Sequence, residues 1–325
     1  MSIFRRSENK IGAFALISVL VLISILSLVA LEFSQRTGIN LTMTVNYADS
    51  KKALYIAYGG YQAALSLLIK DTNDYDGPGD FWYGMLPPIP IGDGAVSIYI
   101  EDEKARFNVR KLIYAQGEED KRRSAMLSRM FIVLAIEPSL IDGVVDWQDI
   151  DDKIQPDGAE ASYYSLLSPP YAPRNSQVVT VGELLLVKEL DRDIYFIPPS
   201  LRSPIANEEF APLNKYITVY GDGKININTA AEPVLICMSK DMDEFIARDI
   251  IRFRQKESFK SIEDLKKVET VSDILYDEIK SLITVKSNLF RIRAAGVSGK
   301  FSQVITAVVL RESRGFRVVY YNRSL

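Results

Sequence analysis

The segment DWQDIDDKIQPDGAEASYYSLLSPPYAPRN, residues 146–175, carries a cluster of carboxylates that could bind a metal ion. The candidate ligands are Asp149, Asp151, Asp152, Asp157 and Glu160. Clustered carboxylates repel one another unless water or a cation screens them, and their spacing lets oxygens converge on a hard cation. A flexible loop favours Ca²⁺, which takes about six to eight oxygen ligands. The spacing of an EF-hand is absent, so a calcium site and a solvated acidic loop both remain open.

The residue composition excludes most other chemistry. The 325 residues include no His and a single Cys. Catalytic triads with His, His-liganded zinc and intrachain disulfides are therefore excluded. Cys237 lies in the helical apolar pattern AAEPVLICMSK and is predicted to be a buried structural thiol. The net charge of −3 gives no sign of the basic face that bulk nucleic-acid binding requires.

An enzyme that uses only carboxylates, such as a glycosidase, is the catalytic alternative. Its acids should lie in a cleft with aromatic platforms, and Tyr163, Tyr164 and Tyr171 near the acidic loop are compatible with that arrangement. Tyrosines that pack an ordered loop explain the same pattern more simply. We therefore expect no enzymatic activity.

The elements that must position this loop begin with an apolar N-terminal run. Residues 13–31 are uncharged, and at about 1.5 Å per helical residue they span close to the roughly 30 Å hydrocarbon core of a bilayer. Arg5, Arg6 and Lys10 precede the run and only Glu8 opposes them, which predicts a cytoplasmic N-terminus. A cleaved secretory signal fits poorly, because such apolar cores are usually shorter than this run.

The helical pattern continues beyond the apolar run. One apolar stripe follows with spacings of three and four, which is typical of an amphipathic helix; it comprises Leu54, Tyr58, Tyr61, Leu65 and Leu68. Gly38 and the pair Gly59 and Gly60 argue against an unbroken rod, since a glycine costs about 1 kcal/mol relative to alanine in a helix.

The pattern after residue 70 predicts a sheet that is interrupted by a helical insertion. Residues 71–90 are rich in Gly, Pro and Asp and predict a loop, and AVSIYIE then alternates as a strand does. Near the end of the chain NLFRIRAAGV, SQVITAVVLRES and GFRVVYYNR predict an antiparallel meander. The section between these strands, residues 107–287, is predicted to be mainly helical.

The insertion contains an internal repeat. FNVR (107–110) resembles ININ (225–228), and TVGELLLV (180–187) matches SIEDLKKV (261–268) in residue type. Thr180 with Glu183, and Ser261 with Asp264, form capping boxes that satisfy backbone N–H groups at a helix start. Two related helical modules are the economical inference.

These motifs together resemble the minor pseudopilin K family of type II secretion systems, the general secretion pathway protein K family. The resemblance covers nearly the whole chain and rests on DEKARFNVRKL, VDWQDIDD with GAEASYY, VTVGELLLVKEL and ININTAAEPVL in that order. It implies an α+β, pilin-like fold, in which a long N-terminal helix packs on an antiparallel sheet and a large helical domain of two modules is inserted in that sheet. It also implies calcium in the helical domain.

The resemblance and the patterns predict the following divisions of the chain. They are a prepilin leader at 1–12, a transmembrane and amphipathic helix at 13–70, a loop and first strands of the head at 71–106, a first helical module with the acidic loop at 107–215, a second, helix-hairpin-helix-like module at 216–287, and C-terminal antiparallel strands at 288–325.

The leader implies processing by prepilin peptidase after Gly12, with methylation of the new N-terminus. Ala13 stands between Gly12 and Phe14, so a cut after Ala13 is also possible. Pilin-type proteins normally carry Glu five residues past the cut, whereas Ile17 stands there when Ala13 is residue one. A carboxylate without a partner costs about 2.5–3.5 kcal/mol in a bilayer. Ile17 therefore suits a subunit at the tip, which has no subunit above it to pair with.

The family role implied is that of a tip subunit of the periplasmic pseudopilus, which starts its assembly and promotes export of folded proteins across the outer membrane. The implied partners are the I- and J-type minor pseudopilins, the major pseudopilin, prepilin peptidase and the inner-membrane secretion platform. The implied location is the inner membrane, crossed once, with the N-terminus cytoplasmic and the head periplasmic.

Two other functions fit parts of the sequence. A minor pilin of a type IV pilus shares the N-terminal pattern. A membrane-anchored helix-hairpin-helix protein that binds DNA would share ININTAAEPVL and the basic residues Arg248, Arg252, Arg254 and Lys256. However, the hairpin position reads MSKDMDE, where acids would repel phosphate and the expected glycine is absent. The basic residues are therefore predicted to form a solvated helix face, and we expect no nucleic-acid binding.

Overall fold

A computed structural model describes the backbone of residues 4–204, 206–313 and 315–324, and side chains from Phe14 onward. The strands are β1 (Gly84–Met85), β2 (Ile89–Ile91), β3 (Gly94–Asp102), β4 (Phe107–Asn108), β5 (Ile217–Thr218), β6 (Ile225–Asn226), β7 (Ile283–Thr284), β8 (Leu289–Ser298), β9 (Phe301–Glu312) and β10 (Gly315–Ser324). The α-helices are α1 (Phe4–Lys70), α2 (Lys121–Val133), α3 (Leu140–Asp146), α4 (Ala161–Tyr164), α5 (Arg192–Phe196), α6 (Pro199–Arg202), α7 (Glu232–Ile236), α8 (Glu244–Lys256) and α9 (Asp273–Ile279). Short 3₁₀ helices lie at 103–105, 109–112, 181–186, 213–215 and 262–267.

Helix α1 is continuous through all the glycines that argued for a break. Gly38 and Gly59 face open space, so each destabilises the helix only through the lower helix propensity of glycine relative to alanine. Gly60 has a packing reason, because a Cβ there would lie 2.4 Å from Cγ2 of Val96. The first half of α1 is exposed and apolar, whereas the second half packs on the sheet.

The head is one antiparallel sheet in the order β1-β3-β8-β9-β10, with β2 also paired to β3. The three C-terminal strands form the meander that alternation predicts, and the predicted fold class is confirmed. The segment 71–90 differs from its prediction as a pure loop, because β1 lies within it, β2 begins within it, and both strands pair with the edge of β3. On the inner face Ile98 and Ile292 are buried against α1.

Helix α1 and the sheet come into backbone contact at Gly296 of β8. A Cβ at Gly296 would lie 2.2 Å from the carbonyl oxygen of Ala53 and 2.4 Å from the backbone nitrogen of Ala57. Ala53 and Ala57 are completely buried. Small residues on both elements therefore let backbone contact backbone, and this contact fixes the position of α1 on the sheet.

The two inserted modules share one plan. In the first module, β4 starts the module and pairs in parallel with β5, which closes it just past the predicted end at residue 215. In the second, β6 starts the module and pairs in parallel with β7, which closes it. The amide of Asn108 donates to the carbonyl oxygen of Tyr220 at 2.8 Å, and the equivalent Asn226 donates to that of Asp76 at 3.0 Å. The repeat seen in the sequence thus corresponds to a repeat in structure.

Both capping boxes are present, on 3₁₀ helices rather than longer α-helices. The carboxylate of Glu183 accepts from the backbone nitrogen of Thr180 at 3.3 Å, and that of Asp264 accepts from Ser261 at 3.1 Å. The modules share one hydrophobic core that is separate from the core beneath α1, and the predicted burial of Cys237 in it is confirmed.

Candidate functional site

The acidic segment begins at the C-terminus of α3 and folds back on itself before α4. Aromatic packing holds the fold: the rings of Trp147 and Tyr164 lie 5.2 Å apart edge to face, and Tyr171 lies 5.3 Å from Tyr164. The hydroxyl of Tyr164 accepts from the backbone nitrogen of Lys188 at 3.2 Å. The tyrosines near the acids are therefore packing residues of an ordered loop.

Three carboxylates of this segment are buried: Asp146, Asp149 and Glu160, with exposed fractions of 0%, 9% and 3%. Oδ1 of Asp146, Oδ1 of Asp149 and both carboxylate oxygens of Glu160 are buried without a hydrogen-bond partner. An ionised carboxylate in such a place is costly unless a cation or hydrogen bonds compensate it.

Burial raises the pKa of all three groups. The pKa of Asp146 is raised to about 6, although backbone N–H groups of Gln155 and Ala159 oppose the shift. The pKa values of Asp149 and Glu160 are each raised to about 7, by burial first and then by the charge of their acidic neighbours. Each of the three acids resists ionisation, because it is buried and close to other acids. A divalent cation would compensate the negative charge and so favour the ionised forms.

The other predicted ligands lie at the surface of the same loop. Asp151, Asp152 and Asp157 are exposed, and the carboxylate of Asp151 already accepts from the backbone nitrogen of Lys153 at 2.8 Å. The structure thus brings Asp149 and Glu160 into the loop interior and leaves these three facing solvent. Asp146 was missed by sequence reasoning, although it stands three residues before Asp149.

Gly158 makes room for the buried acids. A Cβ at this position would lie 1.9 Å from Oδ2 of Asp146, so only glycine allows the loop to close over that carboxylate. Lys188 donates to the carbonyl oxygens of Asp157 and Gly158 at 3.2 and 3.3 Å and holds the turn from outside. The donors are all oxygens and four of them are buried and free, which suits a hard divalent cation. In the described structure, however, the oxygens of Asp146, Asp149 and Glu160 do not all lie within 4.8 Å of one another, so the loop would have to draw them together around an ion.

A second group of acids, Asp71, Asp76 and Asp80, lies in the head just after α1, with oxygens within 4.8 Å of one another. Arg311 already binds two of these three acids, and Asp80 accepts from the amide of Asn73 and the backbone nitrogen of Gly77. The guanidinium nitrogens of Arg311 lie 3.0 Å from Asp71 and 2.8 Å from both oxygens of the buried Asp76. These acids form an internal ion-pair network rather than a vacant cation site.

Two adjacent acids at the end of β3 connect the head to both modules. Oδ2 of Asp102 accepts from the amide of Asn226 at 2.8 Å and from the hydroxyl of Thr229 at 2.7 Å, which ties the second module. The completely buried Glu103 accepts from the hydroxyl of Thr218, in the strand that closes the first module, and pairs with Arg291 of β8. The modules are therefore bonded to the sheet through two buried carboxyl groups.

The pKa of Glu103 is lowered despite its burial. Burial alone would raise it, but the charges of Arg106 and Arg291 and the hydroxyl of Thr218 together outweigh that effect. Glu103 is therefore ionised in the folded protein.

Three of the four basic residues of α8 lie on the predicted solvated face, including Lys256, and one does not. Arg248 and Arg252 are exposed, but Arg254 is buried and donates to the carbonyl oxygen of Ile227 at 2.6 Å. It was misjudged because its carbonyl acceptor lies far away in sequence. At the N-terminus of α8 the carboxylate of Asp243 accepts from the backbone nitrogen of Ile246 at 2.8 Å. An acid thus occupies the position at which a helix-hairpin-helix would hold a phosphate.

The anchor residues lie on the free half of α1. Ile17 is exposed on the helix surface, and Gly12 and Ala13 lie within the helical backbone, but their side-chain surroundings are outside the described part, as is the structure of residues 1–3 of the predicted leader. Within the described residues, α1 is the helix that is long and apolar enough to cross a membrane.

A long helix with a free apolar half, packed by its other half on an antiparallel sheet, defines a pilin-like subunit, and the helical insertion sets this one apart from a plain pilin head. The chain belongs to the protein K family of the type II secretion system: two family models described as protein K match residues 105–196 and 225–286. It is thus a minor pseudopilin with a single membrane anchor, of a family with a structural role in secretion.

Similar proteins include protein K of Pseudomonas aeruginosa, 28% identical over 276 residues, which are 81% of this chain and 77% of that protein. Protein K of Pectobacterium carotovorum is 23% identical over 308 residues, covering 89% and 88% of the two chains. A chain in the crystal structure of the GspK-GspI-GspJ complex of enterotoxigenic Escherichia coli has the same fold. It is 16% identical, with a TM-score of 0.66 over 87% of this chain and 99% of that one.

Proposed function

We propose that this minor pseudopilin caps the tip of the periplasmic pseudopilus, together with I- and J-type minor pseudopilins, and thereby initiates assembly and promotes export of folded proteins across the outer membrane. The observation that carries the proposal is the place of the modules. The modules lie near the C-terminal end of α1. Just after that end, the backbone nitrogen of Asp76 donates to the carbonyl oxygen of Val285 in the second module at 2.8 Å. The modules are inserted after Asp102, at the end of β3 that lies far from the apolar half of α1. The other end of β3 lies beside the amphipathic half of α1, where Lys52 forms an ion pair with Asp93.

This placement supports a terminal position in a filament. Subunits of a pilin-type filament add along the direction of their N-terminal helices, so a further subunit would have to sit over the membrane-distal end of this head. The buried bonds of Asp102 and Glu103 hold the modules firmly over that end. Ile17 agrees with the same position, because a tip subunit has no neighbour above it to pair with a carboxylate there.

The proposal includes the processing and location that such a role requires. Prepilin peptidase would cut after Gly12 or Ala13 and the new N-terminus would be methylated. The anchor would cross the inner membrane with its N-terminus in the cytoplasm and the head in the periplasm, in contact with the major pseudopilin and the secretion platform.

The test is co-purification. The full chain in detergent is expected to form a stable complex with the I- and J-type minor pseudopilins of the same cell, and cells lacking it should assemble few pseudopili. Absence of a complex with either subunit, with and without calcium, would contradict the proposal. A strain with Ile17→Glu is expected to assemble pseudopili no better than the parent, and improved assembly would remove the tip argument.

We further propose that the helical domain holds calcium at Asp146, Asp149 and Glu160. The support is the set of buried carboxylate oxygens without partners. Asp151, Asp152 and Asp157, predicted from the sequence, are exposed at the surface of the same loop. A bound ion would neutralise the buried acids and hold the loop between α3 and α4 in one conformation, so its role here is structural.

Equilibrium dialysis with calcium tests the site. Asp149→Asn and Glu160→Gln, which preserve shape and remove charge, are expected to lose binding at least tenfold. Asp152→Asn is the matched control, because its carboxylate is exposed, and we expect its binding to change little. Equal calcium binding by all three variants and the parent would place any ion elsewhere.

A further inference from the structure

The two edges of the head sheet are built differently. At one edge β1 and β2 are only two and three residues long, and Pro90 lies within β2. Short edge strands and prolines prevent further strand pairing. At the other edge β10 is ten residues long, contains no proline and pairs with β9 on one side only. Only the β10 edge therefore offers a long row of unpaired backbone groups.

The regular part of β10 is its second half. The register shifts between Val318 and Tyr320, after which Tyr320 to Ser324 pair without interruption with Val308 to Val304. A bulge protects the first part of the strand, because it twists the backbone out of register. The uninterrupted stretch has the length of an ordinary strand.

The side chains along this edge are those of a protein interface. Tyr320 and Tyr321 are exposed by 36% and 37%, and they point to opposite faces of the sheet. The side chain of Arg323 lies over the ring of Tyr321 and forms no ion pair with any acid that the structure describes. Tyrosine and arginine are enriched at the centres of protein interfaces, and an exposed edge with apolar residues promotes strand pairing.

The edge continues onto the exposed side of α1. The ring of Tyr321 lies 6.0 Å from that of Tyr61, which lies 6.2 Å from that of Tyr58. Tyr58 is exposed by 49% on the helix surface. The buried ring of Tyr61 thus lies between the exposed rings of Tyr321 and Tyr58, and the surface runs from the backbone of β10 over these two exposed tyrosines to α1.

We propose that this surface, Tyr320–Ser324 of β10 with Tyr58 of α1, receives an edge strand from a second pilin-like subunit. The proposal rests on the assembly with minor pseudopilins proposed above and names the surface used. Backbone hydrogen bonds would extend the sheet by one strand, and the helix of the incoming subunit would lie along α1. The strand should carry an acidic residue opposite Arg323, whose positive charge has no partner within the described chain.

Two variants test the surface in the full chain. Tyr320→Lys places a second cation beside Arg323 on the edge, and Arg323→Glu reverses the charge. Both positions are exposed, so folding should be unaffected, which tryptophan fluorescence during urea unfolding would verify. Ile91→Lys on the opposite edge is the matched control. We expect each β10 variant to bind the I- and J-type subunits at least tenfold more weakly and the control to bind as the parent does.

Hydrogen exchange of the edge amides gives a second measurement. Amides of Tyr320–Ser324 are expected to exchange more slowly in the complex than in the free chain. If the parent and the β10 variants form the complex equally well, and the edge amides do not exchange more slowly in it, the proposal for this surface is overturned while the tip function stands. No parent complex at all would refute both proposals. If the edge amides of the free chain exchange more slowly as the chain concentration rises, a second copy of this chain occupies the edge. That result would also overturn the proposal.

Discussion

Adjacent glycines in α1 should respond to the same substitution in opposite ways, because only one of them faces the sheet. A Cβ at Gly59 meets nothing within 4 Å, whereas a Cβ at Gly60 would lie 2.4 Å from Val96 and one at Gly296 would lie 2.2 Å from backbone of α1. Ordinary contacts are at least 3.4 Å, so alanine at Gly296 requires α1 and β8 to separate by about 1 Å.

The free energy of unfolding follows from these contacts. Gly59→Ala should stabilise the protein by about 0.5–1 kcal/mol, because alanine is the better helix former and nothing opposes it. Gly60→Ala should destabilise it by about 1–2 kcal/mol, since the end of the Val96 side chain can partly move. Gly296→Ala should cost about 3 kcal/mol or more, because the opposing atoms are backbone and the whole helix must shift.

Urea unfolding of the full chain in detergent measures these differences. Trp82 reports on the head, because it is buried there with its ring 4.9 Å from that of Phe290. A Trp147→Phe background in every variant removes the signal of the helical domain. If Gly296→Ala unfolds at the same urea concentration as its parent, or if Gly59→Ala is as destabilising as Gly60→Ala, then α1 does not lie on β8 as described.

Three further predictions concern buried acids. Asp102→Ala should lower the free energy of unfolding by about 3 kcal/mol or more, because the hydroxyl of Thr229 and the amide of Asn226 lose their buried acceptor. Urea unfolding measures this loss, and an unchanged midpoint would contradict the prediction. Because the pKa of Glu103 is lowered, its contribution is complete above the unfolded value of about 4.5 and is lost as the pH falls through the lower folded value. Glu103→Gln should therefore cost about 3–5 kcal/mol at pH 7 and show a smaller loss between pH 5 and 3 than the parent in acid titrations; equal acid sensitivity would refute this. Gly158→Ala should weaken calcium binding at least tenfold, as measured by titration calorimetry, because its Cβ would displace Asp146; unchanged affinity would exclude the proposed ligand.

The sequence predicted the elements whose signals are local. The uncharged run identified α1, and alternation identified β3 and the C-terminal meander. Capping boxes identified the helix starts at Thr180 and Ser261, because such boxes depend on residues three apart. The short strands β1 and β2 were missed, since a few residues among glycines and prolines form a strand only when β3 lies beside them.

The candidate site was predicted only in part, because burial is a long-range property. Asp149 and Glu160 were among the acids that spacing selected, but spacing could not separate them from the exposed Asp151 and Asp152. Asp146 was not among the selected acids, and it becomes buried only when Gly158 folds over it. Arg254 was misjudged for the same reason, since its acceptor belongs to Ile227 in another element.

The short parallel ladders β4–β5 and β6–β7 have a consequence for the order of folding. Strands β3 and β8 are neighbours in the sheet but are separated in sequence by both modules, so their pairing must close a very long loop. Each ladder brings the two ends of a module together, so a folded module counts as a short connection in the entropy of that closure. We therefore expect the modules to fold first and the sheet to form last. A chain with a completed head sheet would then already contain a folded helical domain.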